Sequence, residues 1–331
     1  MMRTSPPRRQ RGVALIIALV LMALATILAV KIGFGGIVER KRTTTMLAAE
    51  QAFQFALGAE ALAADVLTRQ PQSAQREDTL ADAWAQTPQP IPLRPPNDPE
   101  GEPMGTLEGS LEDQSGRFNI NNLLHTVTDG QPDPVPLAQF TALLVSLGLE
   151  PKWATLARDW IDADTQESFP DGAEDSVYTS QDPPYLTSNY PMMSTTELMS
   201  LPGFGAERYQ KLAPYITALP SKATKINVCT APGYVLDMLT GSTEFSGNPE
   251  TMVKFRKTRC FPTVDELTAN MSADQKTKTR ALVSVQSDYF RLTTRVTLGS
   301  TEFTLYSLLY RGGGGGGAAR VTPILRSFGT T

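Results

Sequence analysis

A cluster of arginines followed by a long apolar segment constrains this chain more than any other feature. Four arginines precede Gly12: Arg3, Arg8, Arg9 and Arg11. Residues 13–30 are apolar except for Thr26. A helix over this segment rises about 27 Å, close to the thickness of the hydrocarbon core of a bilayer. Because the uncharged character resumes after Lys31, the sequence predicts a membrane-spanning segment over residues 13–38.

The balance of charge changes sign across this segment. The 331 residues contain 30 basic and 34 acidic side chains, a formal net charge of −4. Without the four basic residues of residues 1–12, 26 basic and 34 acidic side chains remain, a net charge of −8. Basic flanks stay on the cytoplasmic side of a membrane span, so the acidic body is predicted to lie outside the cytoplasm. An acidic body also argues against nucleic acid as the main partner.

The helical pattern continues beyond the apolar segment. Small and apolar residues recur at alternating spacings of four and three: Ala48, Ala52, Phe55, Ala59, Leu62 and Val66. This stripe predicts one continuous helix of roughly 55 residues that ends before Pro71. Its alanines favour close packing against a sheet or against other helices, and a coiled-coil stalk is the alternative.

Strands flank a long helical region in the rest of the chain. Residues 87–103 contain seven prolines and are predicted to form a loop, before two short strands over 104–111 and 117–121. Helical patterns occupy residues 137–219, and capping boxes begin at Ser194 and Thr263.

The carboxyl-terminal fifty residues return to a strand pattern. Apolar and polar residues alternate over 290–298, and Gly299-Ser300 predicts a two-residue hairpin turn into a return strand. The glycines of residues 312–317 predict a flexible connector, and residues 321–328 predict a last edge strand. This order of elements predicts an α+β domain that contains a helical insertion.

The chain has two cysteines, Cys229 and Cys260. An even count in an oxidising compartment favours a disulfide between them. Closing a loop of about 30 residues stabilises a fold by roughly 3–4 kcal/mol in the chain-entropy estimate. Two separate buried thiols are the alternative.

The segment from Asp159 to Asp175 carries the sharpest local signal. Seven of its seventeen residues are acidic and none is basic. The candidate metal ligands are Asp162, Asp164, Glu167, Glu174 and Asp175. Oxygen ligands in a flexible loop suit Ca²⁺, although Glu167 stands where an EF-hand needs glycine. On composition alone, a solvated acidic loop is the favoured alternative, because most charge runs are solvated.

Two further motifs give weaker signals. Residues 201–205, Leu-Pro-Gly-Phe-Gly, resemble a helix-hairpin-helix turn, but in an acidic body they favour a structural hairpin. His125 is the only histidine, so a Ser-His-Asp triad or a zinc site lacks the residues that it needs. The chain is therefore predicted not to be an enzyme.

The junction between the basic leader and the apolar segment resembles a type IV prepilin leader. The resemblance implies cleavage by a prepilin peptidase between Gly12 and Val13, which retains the helix in the mature protein. An uncleaved signal anchor is the alternative on these residues alone. Most pilin-like proteins carry glutamate at the fifth mature position, where this chain has Ile17. That departure implies an end position in a fibre.

Several segments resemble the K-type minor pseudopilin family of type II secretion systems. They are Gly-Arg-Phe-Asn-Ile-Asn at 116–121, Trp-Ile-Asp-x-Asp at 160–164, Gly-Ala-Glu-Asp at 172–175 and Ile-Asn-Val at 226–228. The resemblance implies a type IV pilin-like fold, in which a long stem helix packs on an antiparallel sheet and a large α-helical domain is inserted. It also implies that the acidic segment binds Ca²⁺, which reverses the preference for a solvated loop.

The resemblance implies a structural role at the tip of the pseudopilus, in support of export of folded proteins across the outer membrane. The expected partners are the I- and J-type minor pseudopilins, the prepilin peptidase and the inner-membrane secretion platform. The expected location is the bacterial inner membrane, with a single span and a periplasmic body. A signal-anchored periplasmic binding module of the DNA-uptake type is the alternative.

These predictions divide the chain into six parts. They are the leader (1–12), the membrane part of the stem (13–38), its periplasmic part (39–70), pilin-like strands and loops (71–124), the inserted helical domain with the acidic loop (125–280) and the carboxyl-terminal strands (281–331).

Overall fold

The computed structural model describes residues 11–70, 76–95, 97–127, 130–312 and 320–328. Residues 1–10 of the predicted leader and residues 313–317 of the glycine run lie outside the described residues. The predicted stem helix is confirmed, because α1 spans Arg11–Thr68 without a break. Its side chains are exposed over residues 13–47, and among the described helices it alone has the length and hydropathy to cross a membrane.

Nine strands are formed by the described residues. They are β1 (Ile91–Leu93), β2 (Gly105–Asp113), β3 (Phe118–Asn119), β4 (Ile216–Thr217), β5 (Ile226–Asn227), β6 (Val283–Ser284), β7 (Tyr289–Leu298), β8 (Thr301–Gly312) and β9 (Arg320–Phe328). Five of them form an antiparallel sheet in the order β1-β2-β7-β8-β9. The predicted hairpin between β7 and β8 is present, and Gly299 has the positive φ, +56°, that its turn requires.

The sheet packs against the second half of α1. Ala52, Ala56 and Ala59 are buried against a sheet face that includes Val296 and Leu305. Alanine side chains let the helix approach the sheet closely, while alternate residues of β7 point their larger side chains at the helix. The part of the predicted stripe that contains Ala52, Phe55 and Ala59 is therefore the stem-to-sheet contact, whereas Leu62 of the same stripe is exposed.

One buried charge fixes the stem to the last strand. Glu60 of α1 accepts hydrogen bonds from Arg326 Nε (2.9 Å) and Nη2 (2.7 Å) and from Ser307 Oγ (2.7 Å). Burial raises the pKa of Glu60, but the hydrogen bonds from Arg326 and Ser307 outweigh it and leave the pKa below its ordinary value. This carboxylate therefore stabilises the docked position of β9.

The helical body, residues 120–282, is inserted between β3 and β6. Its α-helices are α2 (Pro134–Ser146), α3 (Lys152–Ile161), α4 (Asp175–Tyr178), α5 (Gly205–Leu212), α6 (Gly233–Thr240), α7 (Pro249–Arg256), α8 (Val264–Leu267) and α9 (Ala273–Leu282). They enclose a core that is separate from the stem-to-sheet contact, in which Phe118 stacks on Phe140 at 5.4 Å. The capping boxes at Ser194 and Thr263 are present, and the first opens a 3₁₀ helix.

The predicted strand over 117–121 is wrong in extent. Only Phe118–Asn119 is extended, and it pairs in parallel with β4 rather than with β2. The Asn119 side chain accepts a hydrogen bond from the Asn121 backbone, which starts a 3₁₀ helix over Ile120–Leu124. Side-chain capping by asparagine ends the strand early.

A buried polar cluster connects the sheet to the helical body. We call Asp78, Asp113, Asn227, Ser287 and Arg311 the polar joint. Asp78 Oδ2 accepts from Arg311 Nη2 (2.6 Å), and Asp113 Oδ2 accepts from Ser287 Oγ (2.6 Å). The Asn227 amide donates to Ser287 Oγ (2.7 Å) and to the Asp78 carbonyl (2.9 Å). Burial raises the pKa of Asp113, although the hydroxyl donors partly oppose it.

The predicted disulfide between Cys229 and Cys260 is present in the helical body. The buried guanidinium of Arg256 donates to the carbonyls of Val228 (2.9 Å) and Phe261 (2.7 Å), which lie next to the two cysteines. Burial lowers the pKa of Arg256 to about 10. The disulfide and this side chain together hold two distant segments in contact.

Candidate metal site

The acidic segment folds around Asp159, a fully buried residue near the end of α3. Asp159 Oδ2 accepts hydrogen bonds from the backbone nitrogens of Ser168 (2.9 Å) and Ala173 (3.0 Å). A Cβ atom at Gly172 would lie 2.2 Å from this same oxygen, so only glycine fits there. The loop after α3 is therefore wound tightly around one carboxylate.

This winding brings three carboxylates together. Asp162, Asp164 and Glu174 each offer an oxygen, and these oxygens all lie within 4.8 Å of one another. We call these three residues the acidic cluster. Asp162 Oδ1 and Glu174 Oε1 are buried and have no hydrogen-bond partner among the described residues. Buried polar atoms are normally satisfied, so these two oxygens could serve as ligands of a metal ion.

The pKa values of the cluster also favour a bound cation. Burial raises the pKa of Asp162 to about 6, with further contributions from the charges of Asp164 and Asp159. Burial and the charge of Asp162 raise the pKa of Glu174 to about 7. A cation would remove this repulsion, and a donor set made only of oxygen atoms fits Ca²⁺.

Two residues of the predicted ligand set engage other groups. Glu167 Oε1 accepts from Ser176 Oγ at 2.7 Å. Asp175 Oδ1 accepts from the backbone nitrogen of Thr187 at 3.0 Å and from its hydroxyl, and these bonds lower the pKa of Asp175. The predicted ligand role of Glu167 and Asp175 stays a prediction.

The sequence reading missed two residues that build the site. The sequence pattern does not distinguish Asp159 from the other acids of the segment, although its place among the buried residues of α3 does. Thr187 also lay outside the reading, and it ties the start of α4 to the next loop through Asp175. Nothing in the local spacing of Thr187 signals this contact.

The glycine-rich turn at residues 201–205 is a packing motif. Gly203 and Gly205 have positive φ angles of +81° and +70°. Phe204 is buried against Trp153, at a ring distance of 5.2 Å. The cation nearest to the turn, Arg208, donates to the carbonyls of Gly203 (3.0 Å) and Phe204 (3.1 Å). The hydrogen bonds of this guanidinium therefore serve the turn itself.

Comparison with known proteins gives consistent results. The family model for type II secretion system (T2SS) protein K matches residues 116–221. Type II secretion system protein K of Klebsiella pneumoniae is 34% identical over 92% of this chain and 94% of its own length. The protein of the same name from Aeromonas hydrophila is 31% identical, with the same coverage of each chain.

The fold has a counterpart among solved structures. A chain from the crystal structure of the GspK-GspI-GspJ complex of enterotoxigenic Escherichia coli superposes with a TM-score of 0.74 at 25% sequence identity. The superposition covers 88% of this chain and 100% of the other. The fold is thus the predicted pilin-like α+β architecture with an inserted helical domain. By sequence and by fold, the chain belongs to the type II secretion system protein K family.

Proposed function

We propose that the chain is a structural minor pseudopilin that occupies the tip of the pseudopilus and supports export of folded proteins across the outer membrane. The observation that carries this proposal is the superposition over the whole length of a chain from the GspK-GspI-GspJ complex. By this likeness, its partners are the I- and J-type minor pseudopilins.

The placement of the helical body supports a terminal position. The polar joint attaches the body near the end of the stem that is distal to the apolar segment, where Arg311 Nη1 donates to Gln70 Oε1 at 2.6 Å. A further subunit stacked beyond this end would meet the body instead of an open stem and sheet. Together with the absence of glutamate at Ile17, this arrangement favours an end subunit.

The amino-terminal helix supports anchoring before assembly. We infer that the prepilin peptidase cleaves between Gly12 and Val13, and that the span lies in the inner membrane with the body in the periplasm. The secretion platform in that membrane is the site from which the subunit enters the fibre. The disulfide agrees with an oxidising periplasm.

The acidic cluster supports a structural calcium ion. Asp162, Asp164 and Glu174 would hold Ca²⁺, with backbone carbonyls and water completing its six to eight ligands. The ion would neutralise the cluster and hold the loop in its wound form. The role of this site is to stabilise the helical body, so no catalytic step is assigned to it.

A DNA-uptake module finds less support. It would need free cations at the turn over residues 201–205, and Arg208 donates instead to the carbonyls of that turn. The net charge of the body is also unfavourable for a phosphate backbone.

Co-purification tests the proposed function. The full chain is co-expressed with its I- and J-type pseudopilins and the prepilin peptidase, and the detergent-solubilised complex is sized by light scattering. A 1:1:1 complex in which this chain begins at Val13 by intact mass is expected. A chain that retains Met1, or that stays monomeric with both partners present, would overturn the proposal.

A further inference from the structure

A cleft of about 700 Å³ separates the helical body from the sheet face that points away from the stem. Its floor includes Arg291, Tyr306, Leu308 and Leu325, and Tyr209 of α5 lies on the opposite wall. This volume is in the range of ordinary ligand pockets. The cleft differs from the acidic cluster in composition, because arginines and apolar, hydroxyl and amide side chains line it.

The cations of the cleft exceed the anions that they contact. Arg291 Nη2 (2.6 Å) and Arg117 Nη2 (3.2 Å) both donate to one oxygen, Glu112 Oε2. Two guanidinium groups thus share one carboxylate by hydrogen bond, and Asp113 is a further anion whose charge acts on Arg117. Arg291 Nε is buried and has no hydrogen-bond partner among the described residues. Burial lowers the pKa of Arg117, and the charge of Arg291 lowers it further. A second anion could accept a hydrogen bond from Arg291 Nε and would offset the repulsion between the two guanidinium groups.

Apolar side chains continue from this charged pair across the sheet. Glu112 pairs with Arg291, Arg291 with Leu308, and Leu308 with Leu325, so these four residues form one row over four strands. Leu325 is 38% exposed although it faces a cleft. Adjacent strands lie about 4.8 Å apart, so the apolar end of the row is about 10 Å from Arg291. A ligand that fits the row carries a carboxylate beside apolar groups.

We propose that this cleft binds an acidic peptide segment of a partner protein, whose carboxylate pairs with Arg117 and Arg291 while its apolar side chains lie on Leu308 and Leu325. Charge complementarity selects the carboxylate, because this pair of cations lies in a body of net charge −8. The straight row of side chains selects an extended segment, in which every second side chain faces the same way.

A short peptide tests the proposal on the full chain in detergent. The probe is fluorescein-labelled Glu-Ser-Leu-Ser-Leu with blocked ends, in which the glutamate and the two leucines face one side in the order of the row. Its control carries glutamine in place of glutamate. Fluorescence anisotropy at low salt is expected to show saturable binding of the glutamate peptide and binding about tenfold weaker for the control. Equal binding of the two peptides, or no binding of either, would overturn the proposal.

Three variants locate the binding. Arg291→Gln should weaken binding about tenfold, because it removes a charged hydrogen bond. Arg295→Gln is the matched control on the same face of β7, where Arg295 pairs with Glu302 at 3.2 Å outside the cleft, and it should leave binding unchanged. Glu112→Gln should tighten binding, because it removes the competing carboxylate. A misfolded variant does not bind more tightly, so this third result is independent of damage to the fold. If Arg295→Gln weakens binding as much as Arg291→Gln, or Glu112→Gln weakens it, the assigned site is wrong.

Discussion

The polar joint and the acidic cluster both bury carboxylates, but the charges around these carboxylates differ in sign. In the joint, Asp78 contacts the guanidinium of Arg311, and Asp113 accepts from hydroxyl and backbone donors. In the cluster, Asp162 and Glu174 face other acids and keep buried oxygens without partners among the described residues. The joint therefore pairs its acids with a guanidinium and with hydrogen-bond donors of the chain, although Asp78 Oδ1 and Arg311 Nε have no partner among the described residues. The acids of the cluster instead face one another and could hold a cation. This difference predicts which parts of the fold respond to calcium.

The largest expected effect comes from breaking the joint. Arg311→Met removes the buried guanidinium beside Asp78 and leaves Arg76 Nε, at 3.3 Å, as the cation next to this carboxylate. The loss should therefore lie at the lower end of the range for a broken buried pair, about 3 kcal/mol of unfolding free energy. The loss should be the same with calcium and with chelator, since the joint contains no ion. Thermal denaturation of the full chain in detergent measures both conditions.

Arg295→Met provides the control for this variant. It breaks an exposed pair with Glu302 and should cost at most about 1 kcal/mol. If calcium rescues Arg311→Met but not the control, the two regions are coupled, and the distinction between them fails.

The second effect is that of calcium on the unmodified chain. Binding to the folded state alone adds about 2.7 kcal/mol when the free ion is at a hundred times its Kd. The melting temperature should therefore rise on addition of Ca²⁺ and fall with chelator. Identical melting curves in the two conditions would show that the acidic segment is a solvated loop.

Much of the fold is visible in the sequence because its signals are local and periodic. The stripe that includes Ala52, Phe55 and Ala59 predicts the stem contact, and the alternation over 290–298 predicts β7. The acidic segment also shows its character directly, because its charges are adjacent in the chain. Patterns of this kind follow from one buried face per element.

The contacts of the polar joint, by contrast, cannot be predicted from local patterns in the sequence. Asp113 and Ser287 are 174 residues apart and meet only because the sheet brings β2 beside β7. Similarly, the end of the strand over Phe118–Asn119 depends on Asn119, whose amide also donates to the Ser221 carbonyl, 102 residues away. Contacts of this range depend on tertiary structure, which single-chain patterns do not encode.

A smaller effect is expected at the stem, where a buried acid is paired as in the joint. Glu60→Gln removes the charged bonds to Arg326 and should cost about 1–2 kcal/mol at pH 7. Because the folded pKa of Glu60 is below its ordinary value of 4.5, its stabilisation is present above that pH and is lost as the pH falls through the folded pKa.

The melting temperatures of the variant and the unmodified chain should therefore converge as the pH falls below 4.5. Glu302→Gln, which alters an exposed pair, serves as the control. A difference that stays constant from pH 7 to pH 3 would show that the charge of Glu60 is not the source of its effect.

The most direct test of the contrast between the two regions is whether one substitution stabilises the chain in chelator and destabilises it in Ca²⁺. Glu174→Gln keeps the shape of the side chain and removes one charge from the acidic cluster. In chelator it should raise the unfolding free energy, on the order of 1 kcal/mol, because it relieves repulsion. In saturating Ca²⁺ it should lower the melting temperature below that of the unmodified chain, because a ligand is lost. Destabilisation of equal size in both conditions would contradict the account, since it would make Glu174 an ordinary structural residue.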